Sequence, residues 1–409
     1  MIILFYDCYR ILSEVYKNGA YLKQAVNDVQ IEELNRAKTT KICYGVLDKN
    51  VELDYVISSL CNKKPKSSIV ILLKIAIYSI KYLEKKPYAV IDATVELSKK
   101  IGKGANAGFI NAVLRKFVNT TITLPDSDIE RLSVKYSYPV FAVRLLLDTY
   151  GDLAEDVMAY DEEFTYVRFK KDFDGESYLQ NNNYTYTTTP FKNLFSVPKM
   201  KMDEDFYKGI YTFQSIGSVA ICDQINGGGD VLDACAAPGG KSCLIAERAK
   251  SVTSCEIHEH RAKLITSYLR RMNLSNVKVI CCDSSENNPD FNEKFDVVLC
   301  DVPCSGYGTV KNNPDIKLKQ IDFNDLTDLQ LKIARNCLNY VKKGGYLVYS
   351  TCSVFREEND AVIEKLIDDS VSVDKCFSPL PNIRTEYGLQ FLPNISSGAG
   401  FYVCRLLKK

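Results

Sequence analysis

The sequence predicts an all-α N-terminal domain followed by an α/β domain with a doubly wound, largely parallel sheet, and a small mixed α+β subdomain between the two. Apolar residues recur at helical spacing over the first 120 residues, where no strand pattern occurs. From about Asp230 onward, short strand-like runs alternate with helical patterns, which is typical of α/β folds. With 409 residues, the chain is long enough for two or three separate cores.

The N-terminal helices are predicted from the spacing of their apolar residues and from stop signals such as Lys86-Pro87. They cover Tyr6–Val15, Leu34–Leu47, Val51–Leu60, Ile69–Leu83, Val90–Ile101 and Ala107–Val118. The polar stretch from Asn119 to Asp128 predicts a linker, and a helical pattern resumes over Ile129–Tyr150. Three short β-prone runs follow at Thr165–Lys170, Tyr184–Thr188 and Leu194–Val197.

The C-terminal part is predicted from strands and helices that alternate along the chain. The predicted strands are Val231–Asp233, Ser251–Glu256, Lys278–Cys282, Phe295–Cys300 and Tyr346–Ser350. The predicted helices are Lys241–Ala249, Glu259–Met272, Asp325–Val341 and Glu357–Leu366. This alternation predicts parallel strands joined by helices that cover the sheet.

The composition excludes several classes of protein. Hydrophobic residues make up 46% and charged residues 25% of the chain, as in ordinary globular domains. The longest apolar run, Ile69–Ile77, is interrupted by Lys74 and is too short to cross a bilayer, so we expect a buried helix and a cytoplasmic protein. The 15 cysteines follow no framework spacing, and the two histidines, His258 and His260, are expected at the start of a surface helix. We therefore expect neither a disulfide scaffold nor a metal site.

Charge is distributed unevenly along the chain. Residues 1–120 carry 19 Lys and Arg against 11 Asp and Glu, whereas the remainder carries 33 against 40. A basic N-terminal part is typical of proteins that bind a polyanion such as nucleic acid, although a solvent-exposed helical surface can carry the same surplus of Lys and Arg.

Acidic residues mark the ends of four predicted strands. Asp233 begins a turn of small residues at 233–241, and Glu256, Asp283 and Asp301 end the next three strands. In a parallel sheet these ends share one edge, where such folds bind ligands. The turn alone fits a dinucleotide site or a tight turn equally well, and any single carboxylate fits a helix cap. All four together favour a nucleoside ligand, with Glu256 on the ribose hydroxyls and Asp283 on an adenine amino group.

Two cysteines follow the fourth and fifth strands, Cys304 within 301–306 and Cys352 within 349–353. A buried structural cysteine is the ordinary alternative, but loops at strand ends carry chemistry more often than packing. A thiolate that adds to carbon 6 of a cytosine makes carbon 5 able to attack an electrophilic methyl group. An acid near N3 assists that addition, and Asp301 is placed for this role.

These motifs resemble those of the Sun-type RNA cytosine-5 methyltransferases, whose Rossmann-like catalytic domain depends on S-adenosyl-L-methionine. The resemblance rests on the turn at 233–241, on Asp-x-Pro-Cys-Ser-Gly at 301–306 and on Ser-Thr-Cys-Ser at 350–353. It implies that Cys352 is the nucleophile and that Cys304 assists release of the methylated product. It further implies that S-adenosyl-L-methionine is bound by Cys235, Ala236, Ala237, Pro238, Gly239, Gly240, Lys241, Glu256, Asp283 and Asp301.

The N-terminal part narrows the resemblance to the RsmB branch, which methylates a cytosine of bacterial 16S rRNA. Residues 108–115 and 132–139 are similar to segments of that branch, the first within its NusB-like domain. We therefore divide the chain into a NusB-like helical RNA-binding domain at 1–125, linker helices with a small mixed subdomain at 126–205, and a catalytic domain at 206–409. The expected partner is 16S rRNA or the assembling small ribosomal subunit, with no membrane and no metal, and the chain is expected to be a monomer.

Two positions depart from the family pattern, and three other functions fit part of the sequence. Ser215 stands where relatives have an acidic residue, and Ala399 stands where an aspartate is usual, which bears on contacts to RNA or to the substrate loop.

A DNA cytosine-5 methyltransferase would use Cys304 as its nucleophile, but Cys352 and the helical domain do not suit it. An RNA-binding assembly or antitermination factor would not need a cofactor-binding pocket, whereas the residues of such a pocket are present at 233–241 and at the following strand ends. An NAD-dependent oxidoreductase leaves both thiols unexplained.

Overall fold

The computed structural model describes residues 1–162, 164–225 and 228–409, which form two compact units. The first unit comprises Met1–Ala159 with Val310–Gln320, and the second comprises Tyr160–Thr309 with Ile321–Lys409. The compact units therefore divide the chain at other positions than the three segments predicted from sequence character.

The first unit is built from helices, as predicted. In chain order they are α1 Ile2–Asn18, α2 Leu22–Asp28, α3 Glu33–Asp48, α4 Asn50–Leu60, α5 Ser67–Lys81, α6 Pro87–Lys100, α7 Ala107–Asn119, α8 Asp128–Tyr136, α9 Val140–Tyr150 and α10 Leu153–Ala159. The helix predicted over Ile129–Tyr150 is in fact two helices, α8 and α9. Ser137 adopts a left-handed conformation with φ 57° and Pro139 follows, so the chain turns between them. Helix α2 was not predicted because its seven residues carry too little periodic signal.

Helix α5 forms the centre of this unit, and the prediction of a buried helix over Ile69–Ile77 is confirmed. Its Tyr78 packs so close to α3 that a methyl group on Gly45 would overlap the tyrosine ring, which explains the glycine there. Lys74 is buried in the same helix, but its ammonium group is paired with Asp54 at 2.8 Å and donates to Asn50 Oδ1. The single charge in the apolar run is thus neutralised inside the unit.

The segment Val310–Gln320 belongs to the helical unit although it follows the fourth predicted strand in sequence. It contains a short 3₁₀ helix at Pro314–Leu318. Lys317 is buried there, and its Nζ lies 2.9 Å from Asp48 Oδ1 and 2.6 Å from the Asp48 carbonyl oxygen. Burial by itself would raise the pKa of Asp48, but Lys317 and Lys49 outweigh it and lower that pKa to about 2.

Replacing Lys317 with methionine is expected to destabilise the protein by about 3 kcal/mol, because the Asp48 carboxylate and carbonyl oxygen lose their buried donor and only Lys49 remains beside the carboxylate. Since the folded-state pKa of Asp48 is depressed, this pair stabilises the fold at neutral pH and its contribution is lost as the pH falls towards about 2. Denaturant unfolding at neutral pH measures the loss. Lys319→Met, at an exposed position of the same segment, serves as the control, and equal losses for the two variants would contradict the assignment.

The second unit begins with a small antiparallel sheet, which in the described residues has the strand order β2-β3-β1-β4. Its strands are β1 Tyr166–Phe169, β2 Thr187–Thr188, β3 Leu194–Ser196 and β4 Tyr211–Phe213, with helices α11 Gly175–Asn181 and α12 Glu204–Tyr207 beside them. The three β-prone runs are confirmed as strands, and β4 is added to them. Aromatic rings fill the core of this sheet, with Phe169 and Tyr211 at its centre.

The larger sheet of this unit is mixed, so the prediction of a largely parallel sheet is correct for only one part of it. Over the residues that the structure describes, the strand order is β11-β12-β13-β9-β8-β5-β6-β7, and β10 pairs with β13. The strands are β5 Asp230–Asp233, β6 Ser251–Glu256, β7 Val277–Cys281, β8 Phe295–Asp301, β9 Val341–Thr351, β10 Val371–Asp374, β11 Ile383–Arg384, β12 Leu389–Phe391 and β13 Phe401–Lys408. The pairings among β5 to β9 are parallel, and those that involve β10 to β13 are antiparallel.

Three predicted helices connect strands of the parallel part: α14 Gly240–Ala246, α15 Glu259–Arg271 and α16 Phe323–Tyr340. Helix α13 Ile216–Cys222, which was not predicted, precedes β5, and α17 Asp360–Glu364 follows β9. The chain passes from β5 outward to β6 and β7, and then returns to β8 on the other side of β5. This reversal creates a crevice at the carboxyl ends of β5 and β8, which is where doubly wound sheets bind ligands. Among the described helices, none combines the length and the apolar character needed to cross a bilayer.

Candidate active site

Carboxylates lie at or just beyond the ends of four parallel strands. Asp233, Glu256 and Asp301 are the last residues of β5, β6 and β8, and Asp283 lies two residues after β7 ends. The strands β7, β6, β5 and β8 are neighbours in that order, so their ends line one edge of the sheet. The geometry therefore brings the four predicted carboxylates to a common edge, although Asp283 is exposed there.

The turn from β5 to α14 borders a cavity of about 190 Å³. Gly239 in this turn has φ 103°, and a Cβ atom there would lie 3.1 Å from Cα of Ile265 on α15. A side chain at this position would force the turn and α15 apart, so the glycine keeps the backbone close-packed beside the cavity. The cavity is lined by Phe213, Gln214, Ser215, Ser218, Asp233, Cys235, Ala236, Ala237, Pro238, Gly240, Lys241, Tyr268 and Asp301.

Five of these lining residues come from outside the predicted motifs: Phe213, Gln214, Ser215, Ser218 and Tyr268. Gln214 is held in place because its amide donates to the Gly240 carbonyl oxygen at 3.0 Å and accepts from Arg168 at 2.6 Å. Ser215, one of the two departures from the family pattern, caps α13 by accepting from the backbone N–H of Ser218. No periodicity marks such residues in sequence, because the fold alone brings them to the strand ends.

Asp233 is buried at the floor of this cavity. Its Oδ2 accepts a hydrogen bond from Ser242 Oγ at 2.6 Å, and Ser242 in turn contacts Ser254 at 2.9 Å. Its Oδ1 is buried without a hydrogen-bond donor among the described residues. Burial raises the pKa of Asp233 to about 6, with the Ser242 hydrogen bond opposing that shift. Such an unsatisfied acceptor has unused capacity for a donor from a ligand.

Glu256 is buried at the end of β6. Its Oε1 accepts from the backbone N–H of His258 at 3.1 Å and lies 3.3 Å from Arg261 Nη1. Arg261, in the first turn of α15, therefore forms an ion pair with this carboxylate. His258 is the N-cap of α15 and His260 lies in its first turn, both exposed, which confirms the prediction of a surface helix.

Asp301 is held by two partners at the end of β8. Its Oδ2 lies 2.7 Å from Lys241 Nζ, and its Oδ1 accepts from Ser350 Oγ at 2.6 Å. Burial alone would lower the pKa of Lys241, but the Asp301 carboxylate outweighs it and raises that pKa above its usual range. The pair is therefore an ion pair that links the start of α14 to the end of β8.

The structure brings the two predicted thiols into contact. Cys304 lies three residues after β8 and Cys352 directly after β9, and their Sγ atoms are 3.0 Å apart. The backbone N–H of Cys352 also points to Cys304 Sγ at 3.3 Å. The hydrogen bond to Cys352, burial and the charges of Cys352, Glu358 and Asp301 raise the pKa of Cys304 well above its usual range. Burial and these neighbours therefore disfavour a thiolate on Cys304.

Two family models match the chain. The NusB family model matches residues 8–119, and the model described as 16S rRNA methyltransferase RsmB/F matches residues 222–407. The "Probable ribosomal RNA small subunit methyltransferase B" of Bacillus subtilis is 33% identical over 438 residues, which cover 97% of this chain and 97% of that protein. The "Ribosomal RNA small subunit methyltransferase B" of Vibrio vulnificus is 28% identical over 423 residues, which cover 98% of each.

Solved structures share the fold. The crystal structure of PH0851 superimposes with a TM-score of 0.83 at 21% identity and covers 100% of this chain and 99% of that one. The structure of NSun6 from Pyrococcus horikoshii gives a TM-score of 0.61 at 17% identity, over 67% of this chain and 99% of that one. At these identities the likeness shows the fold alone, and it agrees with a helical N-terminal region followed by an α/β domain.

Proposed function

The chain belongs to the RsmB/F family of 16S rRNA methyltransferases, and from this premise we propose that it transfers a methyl group to carbon 5 of a cytosine through a covalent intermediate on Cys352. The observation that carries the proposal is the contact between Cys304 and Cys352, 3.0 Å apart at the ends of adjacent parallel strands. A methyltransferase that acts on a nitrogen or on an oxygen has no need of two thiols at this point.

We infer that the cavity beside β5, together with the neighbouring strand ends, binds S-adenosyl-L-methionine, the methyl donor. Gly239 keeps the turn after β5 packed against Ile265 of α15, and the buried Asp233 Oδ1 can accept a hydrogen bond from a ligand. The residues that would hold the donor are Cys235, Ala236, Ala237, Pro238, Gly239, Gly240, Lys241, Glu256, Asp283 and Asp301. Within this set Glu256 accepts from the ribose hydroxyls and Asp283 from the adenine amino group. When bound, S-adenosyl-L-methionine supplies an electrophilic methyl group.

Cys352 acts as the nucleophile. Its thiolate adds to carbon 6 of the cytosine, so that carbon 5 gains the electron density needed to take up the methyl group. Asp301 assists at N3, where negative charge develops, by passing on a proton that Lys241 Nζ supplies to its carboxylate from 2.7 Å away. The target base must leave any helical stack to present its face to the thiolate.

Cys304 acts in the release step. After a base has taken the proton from carbon 5, the bond between carbon 6 and Cys352 Sγ breaks and the electron pair returns to that sulfur. Cys304 keeps its proton more firmly than an ordinary thiol and lies in contact with the departing sulfur. Its S–H therefore stabilises the leaving thiolate by a hydrogen bond.

Bisulfite sequencing tests the proposed reaction. Purified protein, S-adenosyl-L-methionine and unmodified 16S rRNA are incubated, and protected cytosines are mapped beside a reaction without the donor. One cytosine that becomes protected only with the donor is the expected result. Assembling small subunits are tested in parallel, because they are the alternative form of the same substrate. Protection in neither RNA would refute the proposed specificity.

Replacing Glu256 with glutamine is expected to raise the Kd for S-adenosyl-L-methionine about 30-fold, because charge-assisted hydrogen bonds to the ribose are lost. Isothermal titration calorimetry measures the change without any RNA. Glu259→Gln provides the matched control, since Glu259 is exposed on α15 and pairs with Lys263. An unchanged Kd for Glu256→Gln would show that the ribose lies elsewhere.

A further inference from the structure

Glu358 is a buried carboxylate that contacts both thiol-bearing loops. It is the last residue of a 3₁₀ helix at Arg356–Glu358, and its side chain is inaccessible to solvent. Its Oε2 accepts from the backbone N–H of Ser305 at 2.7 Å and from Gln330 Nε2 at 3.0 Å. Its Oε1 accepts from the hydroxyl groups of Ser305 and Ser353. One carboxylate therefore receives four hydrogen bonds.

These hydrogen bonds link the residues that follow the two thiols directly in sequence. Ser305 follows Cys304 and Ser353 follows Cys352, and their own hydroxyl oxygens are 3.2 Å apart. The loops leave different strands, β8 and β9, whose pairing ends at Asp301 and Ser350. Beyond that point two backbone hydrogen bonds still join the loops, from Val302 N–H to Ser350 O at 3.1 Å and from Gly308 N–H to Cys352 O at 2.9 Å. Glu358 adds a side-chain link at this point, because it accepts hydrogen bonds from Ser305 in one loop and from Ser353 in the other.

The four donors to Glu358 are neutral: one backbone N–H, two hydroxyls and one amide. A carboxylate without solvent is costly unless its oxygens are fully hydrogen-bonded, and here four donors compensate it. The charged groups that act on Cys304 are Cys352, Glu358 and Asp301, and each of them disfavours a thiolate on Cys304.

We propose that Glu358 is a positioning residue for methyl transfer, which holds Cys304 and Cys352 in contact by anchoring Ser305 and Ser353. The inference rests on the proposed roles of the two thiols and adds the group that sets their distance. The Glu358 carboxylate also disfavours a thiolate on Cys304.

The Glu358→Gln variant removes the charge and keeps the shape. A glutamine that keeps its oxygen at the Oε2 position can still accept from Ser305 N–H and Gln330 Nε2, and the serine hydroxyls can rotate to accept from its NH2 group, so the fold is expected to persist. Glu364→Gln, at an exposed glutamate on α17, is the matched control. We expect kcat to fall about 100-fold in Glu358→Gln, with KM for RNA and Kd for the donor within about 2-fold of the control.

Alkylation by iodoacetamide, mapped by mass spectrometry over a range of pH, gives a readout that a purely structural role would not move. For Cys304 the midpoint of alkylation is expected to fall by about one pH unit in Glu358→Gln relative to the control. An unchanged midpoint, or a kcat equal to that of the control, would overturn the proposal. This measurement needs no RNA. If the wild-type protein methylates no RNA, the proposed function is refuted. The alkylation midpoint of Cys304 still shows whether Glu358 affects this thiol.

Two further variants keep the test decisive if Glu358→Gln fails to fold. Ser305→Ala and Ser353→Ala each remove one anchor and leave the carboxylate charged. We expect kcat to fall about 10-fold in each variant, without a lower alkylation midpoint for Cys304. Wild-type kcat in both variants would overturn the role of Glu358 as an anchor.

Discussion

Replacing Cys352 with alanine is expected to abolish methyl transfer, with a loss of at least about 10⁴-fold in kcat, because the sulfur proposed to add to carbon 6 is removed. The substitution removes a half-buried thiol that follows β9 and does not line the cavity beside β5. The Kd for S-adenosyl-L-methionine should therefore stay within about 2-fold of its original value. Calorimetry with the donor and bisulfite sequencing of the RNA measure the two quantities separately.

Cys61→Ala is a suitable control, because Cys61 is also half-buried but lies in the helical unit. It should methylate at the wild-type rate. Full activity in Cys352→Ala, together with loss of activity in Cys304→Ala, would reverse the roles of the two thiols. That outcome would favour the chemistry of DNA cytosine-5 methyltransferases, which use the thiol of the Pro-Cys motif.

The parallel part of the sheet could be predicted because each of its strands is a short apolar run, and four of them are followed by an acidic residue. Strands β5 to β8 begin and end within one residue of the predicted bounds, whereas β9 begins at Val341, five residues before the predicted start at Tyr346. The antiparallel part was missed for a physical reason. Strand β11 is two residues long and β12 three, so neither contains a full period of alternation. Their place is decided by pairing with β13, a contact between distant parts of the chain.

The chemical residues of the site could be predicted, but their mutual contacts could not. Sequence placed Cys304 and Cys352 on neighbouring strand ends, whereas their contact depends on the register that pairs Asp301 with Ser350. Glu358 was missed because it stands in a run of charged residues, which is typical of an exposed helix surface. Only the three-dimensional structure shows that it points inward, towards Ser305 and Ser353.

The segment Val310–Gln320 illustrates the same limit within the helical unit. It follows the Pro-Cys loop in sequence, and nothing in its composition indicates that it packs against α3. Its buried Lys317 pairs with Asp48, which lies more than two hundred residues earlier in the sequence. Periodicity describes how a segment folds locally, and it carries no information about such a partner.

Replacing Cys304 with alanine is expected to trap the enzyme on its RNA. The nucleophile remains, so addition to carbon 6 and methyl transfer still proceed, but the departing Cys352 thiolate has lost its hydrogen-bond donor. A covalent protein–RNA adduct should therefore accumulate and survive a denaturing gel, at a level close to one adduct per active enzyme. Turnover should fall by at least about 100-fold, which corresponds to the loss of one charge-assisted hydrogen bond in the rate-limiting step.

The adduct also separates release from attack. The double variant Cys304→Ala, Cys352→Ala should form no adduct, because the Cys352 sulfur that would bond to carbon 6 of the cytosine is absent. Digestion of the trapped complex followed by mass spectrometry should locate the modified peptide at Cys352, with a methylated cytosine attached. A trapped base without the methyl group would place Cys304 before transfer instead of after it. Multiple turnovers by Cys304→Ala, with no adduct, would mean that the leaving thiolate needs no partner, and the contact of 3.0 Å between the two sulfurs would then have no role in release.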